Sequence, residues 1–169
     1  MRERFDALLA ELSLPPGRGS FALDQLLDRV SIARGRPIKL VAVPVNDPDD
    51  PSGAWVPYPE VDVIFHKLTS RPHLTHIVLH EIAHMLCGHA VRPQALQRFL
   101  AQYSPPDHDP QRMVEAFGLL RSSWSDEEER EAEAFARYVG PLVRVGADVS
   151  SPTAAAFARI LDALGGSHG

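Results

Sequence analysis

Residues 74–89 read Leu74-Thr75-His76-Ile77-Val78-Leu79-His80-Glu81-Ile82-Ala83-His84-Met85-Leu86-Cys87-Gly88-His89. At helical spacing, Val78, Leu79, Ile82, Ala83, Met85 and Leu86 cover most of the circumference, which predicts a helix buried on most sides. His80 and His84 are four residues apart and project from the remaining face, with Glu81 about 100° further round. Ionisable groups turned toward an interior or a cleft are costly unless they are paired or bind a metal. Two imidazoles at this spacing can each offer a ring nitrogen to one Zn²⁺ at roughly 2.0–2.1 Å. Glu81 flanks that point and can take a proton from a water and return it to a leaving amine. With 8 histidines and 10 glutamates in 169 residues, a chance His-Glu-x-x-His arises in roughly 2% of such sequences. The apolar helical context behind a strand lowers that figure.

A catalytic zinc takes three protein ligands and leaves one position open. A third histidine six residues after His84, with glycine three residues after it, would be one solution. Those positions hold Ala90 and Cys87. His89 falls one residue early and reads as the C-terminal end of the helix. Cys87 reads as a packing residue, since no base pairs with it. The other solution is a glutamate on a later helix, and Asp126-Glu127-Glu128-Glu129-Arg130-Glu131-Ala132-Glu133-Ala134-Phe135-Ala136 supplies several. Glu127 and Glu128 suit a solvated acidic helix start. Glu129 and Glu133 share one face, beside an apolar surface of Ala132, Phe135, Ala136 and Val139. Spacing alone leaves both open as the third ligand.

His80-Glu81-Ile82-Ala83-His84 followed by Glu129-x-x-Ala132-Glu133-x-Phe135-Ala136 resembles the ImmA/IrrE family of bacterial metallopeptidases. Matching Phe135-Ala136 to the family's Phe-Ala makes Glu129 the third ligand. Glu133 then matches the acid that orients a ligand histidine, where the family usually has Asn or Asp. Arg34-Gly35-Arg36-Pro37-Ile38, Gly53-x-Trp55, Asp62-Val63-Ile64 and Thr69-Ser70 resemble an actinobacterial branch, so the likeness runs over about residues 20–141. It implies a zincin-like (gluzincin-like) domain that cleaves a protein substrate, a helix-turn-helix transcriptional repressor being the expected partner.

Upstream of the motif, residues 5–13 and 21–34 read as helices, the second amphipathic with Leu23, Leu26, Leu27, Val30 and Ala33 at helical spacing, Ser20 as cap and Gly35 as stop. Residues 38–43 form a β-type run, 46–53 a loop rich in Asp and Pro, and 54–58 and 61–66 two strands. Pro57 and Pro59 confine the former to an edge or irregular place. Residues 61–66 are the stronger strand and are expected to lie beside the cleft, where an extended peptide would pair. Pro72 opens the motif helix, which ends near Gly88. Further helices are expected over 92–103, 110–121, 126–143 (capped by Ser125) and 151–164, with 165–169 a disordered tail. This is one α+β domain with its core over about 20–164: a small twisted β-sheet packed on a mainly helical bundle.

Composition sets the remaining limits. Hydrophobic residues make up 44% and charged residues 23%, as in soluble globular chains. Net charge is -5 and aromatics are 7%, so neither phosphate backbones nor bases find a partner surface. Arg34-Gly35-Arg36 is too short a basic spot to change this. There is one cysteine, no apolar run of membrane-spanning length and no leader-like N-terminus, so a cytoplasmic protein is expected. His66, His73, His76, Tyr103, His108 and Tyr138 are candidates to assist an oxyanion, and Trp55 and Trp124 read as core or cleft wall. The expected activity is zinc-dependent peptide hydrolysis with His80, His84 and Glu129 on the metal and Glu81 as base and acid. A non-catalytic module of the same fold that docks a partner protein is the alternative. Mn²⁺ or Fe²⁺ would also suit two histidines and a carboxylate.

Overall fold

A computed structural model describes residues 1–17, 19–43, 52–91, 94 and 124–144. The helices expected at 110–121 and 151–164, nearly all of 92–103, the tail, and Tyr103 and His108 lie outside these residues. Among the described residues the chain is mixed α and β. In order these are α1 (Arg2–Glu11), β1 (Phe21–Ala22), α2 (Leu23–Arg34), β2 (Ile38–Val43), β3 (Gly53–Pro57), β4 (Asp62–Lys67), α3 (Arg71–Leu86), α4 (Asp126–Val139), a 3₁₀ turn (Gly140–Leu142) and β5 (Val143–Arg144).

The main sheet has the order β2-β4-β3, with β2 parallel and β3 antiparallel to β4. Asp62 through His66 are all buried, as suits a central strand covered on both faces. This corrects the expectation that 61–66 lies at the cleft edge. β4 has partners on both sides; the edges are β2 and β3, and β3 is the one beside the cleft. Pro57 ends β3 opposite Asp62, where loss of one N–H is tolerated.

Helix α3 packs on β3, β4 and α4, and α2 packs on β1, β2 and α3. Val78, Leu79, Ile82, Ala83 and Met85 of α3 are buried, as the helical spacing predicts. Pro72 sits in the first turn after Ser70, and Gly88 takes a positive φ of 76° just past the end. Ser20 does not cap α2: Ala22 holds that place, because Phe21 and Ala22 pair with Val143 and Arg144. Gly35 ends α2 at φ 68°, as expected. Helix α4 stops at Val139, short of the expected 143, because Gly140-Pro141 diverts the backbone into a 3₁₀ turn. α1 closes the far side of α4, with Phe5 edge-on to Phe135 at 5.2 Å between ring centroids.

The Arg34/Arg36 spot is structural. Both guanidinium groups clamp the buried Asp62 carboxylate, at 2.5 and 2.9 Å. Trp55 Nε1 donates to the same group at 2.7 Å. This network fixes the ring of Trp55, a residue that lines the cleft.

Candidate metal centre

Two helices bring the predicted residues together. The α3 register places His80 and His84 on the side facing α4. A capping box starts α4: Glu128 N–H donates to Ser125 Oγ at 3.2 Å, and Ser125 N–H donates to Glu128 Oε2 at 2.7 Å. One residue on, Glu129 turns toward α3. His80 Nε2 and His84 Nε2 stand 3.2 Å apart. Glu129 Oε2 lies 3.3 Å from His80 Nε2, and Glu129 Oε1 lies 3.9 Å from His84 Nε2. Donors on one tetrahedral ion at roughly 2.0–2.1 Å are about 3.3 Å from each other. The two nitrogens stand near that spacing and each faces one Glu129 oxygen, so the three residues could hold a metal ion.

Burial reinforces the donor set. His84 is fully buried, and desolvation, aided by the neighbouring His80, pushes its pKa down to about 3. It is thus neutral, with a lone pair to give. At His80, burial acts downward, but the hydrogen bond to Glu129 and the charges of Glu81, Glu129 and Glu133 outweigh it and raise the pKa.

Glu133 is placed differently from Glu129. Its Oε2 accepts from His76 Nε2 at 3.0 Å, and its Oε1 accepts from Arg137 Nε at 2.6 Å. His80 Nδ1 is 3.8 Å from Glu133 Oε2, beyond hydrogen-bond range. Glu133 thus stands beside His80 without reaching the point on which Glu129 converges.

Glu81 is buried at the base of the cleft, where its Oε2 accepts the backbone N–H of Trp55 at 2.9 Å. β3 runs close over this group. A Cβ on Gly53 would lie 2.4 Å from Ile77 Cγ2, 3.0 Å from the Phe65 carbonyl and 3.5 Å from Glu81 Oε1. The cleft encloses about 230 Å³ between Ser52–Trp55 of the sheet edge, His73, His76, Ile77, His80 and Glu81 of α3, Trp124, and Glu129 and Glu133 of α4. His73 and His76 thus line it. His66 does not: it is buried in β4 with Nδ1 3.0 Å from the Lys67 carbonyl. Tyr138 donates its hydroxyl to Asp6, tying α4 to α1.

Three features were not foreseen. Trp124 stacks on His84, with ring centroids 4.3 Å apart and planes 18° apart. Trp55 N–H anchors Glu81. His89 folds back onto His84, with the two Nδ1 atoms 2.9 Å apart. A sequence signal for the last existed in Gly88 followed by His89. Glycine in the left-handed conformation after a helix lets the next N–H bond a carbonyl five residues back, here His89 N–H to His84 O at 3.0 Å. Cys87, His89 and Glu131 form a second group able to hold an ion. There, however, both His89 nitrogens are engaged by His84 and Glu131, and Arg4 pairs with Glu131.

Compared with protein-family models, curated proteins and solved structures, the chain finds no match. No helix among the described residues is long and apolar enough to cross a membrane.

Proposed function

We propose that this chain is a zinc-dependent metallopeptidase of zincin-like fold, with Zn²⁺ held by His80, His84 and Glu129. The observation that carries the reading is the convergence of His80 Nε2, His84 Nε2 and the Glu129 carboxylate within 3.2–3.9 Å, with Glu81 lining the cleft beside His80 and Glu129. A bound zinc ion supplies Lewis acidity, polarising a carbonyl and acidifying a water. Glu81 takes the proton from the attacking water and delivers it to the departing amine. The Trp55 N–H holds one Glu81 carboxylate oxygen in place at the base of the cleft. The β3 edge forms the cleft wall against which an extended peptide lies. On the resemblance to ImmA/IrrE, the substrate is a protein, a helix-turn-helix repressor, and the setting is cytoplasmic.

The Glu81–Trp55 bond also gives Glu81 a structural task, which favours one alternative: a module that docks a partner without cutting it. Glu81→Gln separates the two, because an amide oxygen still accepts the Trp55 N–H but cannot take a proton. A peptidase loses about 10²–10⁴-fold in turnover on a cleaved peptide, with its Tm unchanged. A docking module keeps its partner affinity and shows no turnover in either form.

A further inference from the structure

With His89 as a neutral imidazole, the hydrogen-bond chain running outward from His84 has one consistent set of protons. His89 Nε2 is 3.1 Å from Glu131 Oε2. A carboxylate only accepts, so this nitrogen carries the hydrogen. Neutral His89 then has its lone pair on Nδ1, and that atom faces His84 Nδ1 at 2.9 Å. His84 must donate there, which leaves the lone pair of His84 on Nε2, the atom 3.2 Å from His80 Nε2. Both imidazoles are buried, so water does not compete for these protons. Arg4, from the opposite end of the chain, pairs with the other oxygen of Glu131. Among the described residues His80 Nδ1 has no equivalent partner, since Glu133 stands 3.8 Å away.

We infer that His89 and Glu131, clamped by Arg4, are positioning residues that lock His84 as its Nδ1–H tautomer and aim its Nε2 lone pair into the metal centre. The role at the metal rests on the reading of His84 as a ligand, whereas the tautomer does not. Partners behind a ligand histidine typically contribute 10–100-fold in metal affinity. The task falls to His89 because the Gly88 turn folds it onto the residue five positions earlier.

The test has two arms. Imidazole ¹⁵N–¹H correlation spectra of the zinc-free full chain should show His84 as the Nδ1–H form and His89 as the Nε2–H form. Finding His84 as the Nε2–H form, or as an even mixture, overturns the inference without any variant having to fold. In the second arm, zinc affinity is measured by chelator competition. His89→Phe keeps the ring and removes both nitrogens, and Glu131→Leu removes the acceptor. Each should weaken zinc about 10–100-fold, while Glu131→Gln, whose amide oxygen can still accept, recovers most of the loss. Affinity within twofold of the parent in folded His89→Phe and Glu131→Leu overturns the inference. If the parent chain binds no zinc yet shows the expected tautomers, the metal reading fails and the His89–Glu131 lock stands.

Discussion

Trp124 lies flat on His84 and completes its burial, and this sets how the metal-free chain responds to acid. Unfolded, His84 titrates near 6.5; folded, its pKa is pushed down to about 3. Between these values the unfolded chain binds a proton that the folded chain does not, so the stability is fully present above 6.5 and is lost as pH falls toward 3. Burial lowers His66 in the same sense, whereas His80, raised by its carboxylate neighbours, offsets part of the loss. In chelator, the urea midpoint should therefore fall between pH 7.5 and pH 5, and His84→Phe should flatten that fall. Cys87 is a second case: burial, then the Glu131 charge, push its thiol up to about 11. Its alkylation at pH 8 should run more than about tenfold slower in the folded chain than in urea. Gly53 is a third. Gly53→Ala places a methyl into Ile77 and the Phe65 carbonyl, which should destabilise by about 1–3 kcal/mol in urea unfolding. At this scale the sequence showed His80, Glu81 and His84 plainly, because helical spacing alone juxtaposes them. It pointed to Trp124 as core or cleft wall, and Trp124 lines the cleft, but it did not show the stacking of Trp124 on His84 or the close approach at Gly53, which depend on contacts between elements far apart in the chain.

Among the elements, α4 does most to position the site. Its capping box satisfies two backbone donors and fixes the register that turns Glu129 toward α3. Ser125→Ala should cost about 1 kcal/mol, and zinc affinity should weaken with it, both read by urea unfolding and chelator competition. The start of α4 was legible because Ser125 and the acids after it are a local signal. Its end was not, since Pro141 acts through a 3₁₀ turn into β5. The strands divide in the same way. Val61 to His66 is apolar at four of its six positions, a pattern shared by a central strand and a good edge strand, so composition could not say which one flanked the cleft. Pro57 pointed to β3 as the edge, and β3 holds Glu81. The β1–β5 pair joins residues 21–22 to 143–144 through two bridges only, too short a match to read from either segment alone.

Across the whole molecule, two polar anchors tie the site to the rest of the fold. One is Asp62, which binds Arg34, Arg36 and Trp55 at once. Asp62→Ala leaves two guanidinium groups without their carboxylate and should cost at least about 2 kcal/mol in urea unfolding. The other runs from Arg4 through Glu131 and His89 to His84, linking α1 to the cleft. The α+β class and the order of the main elements were legible from periodicity and turn residues. The packing of α1 and the pairing of Asp62 were not, because both depend on side chains, apolar for α1 and charged for Asp62, brought together from distant parts of the sequence. The central claim is that His80, His84 and Glu129 form a metal centre, and metal content by mass spectrometry on untagged protein tests it most directly. The account predicts about one zinc per chain, lost in His80→Ala and Glu129→Ala and largely kept in Glu133→Ala. No metal after zinc is added back, or zinc kept in Glu129→Ala and lost in Glu133→Ala, would contradict it.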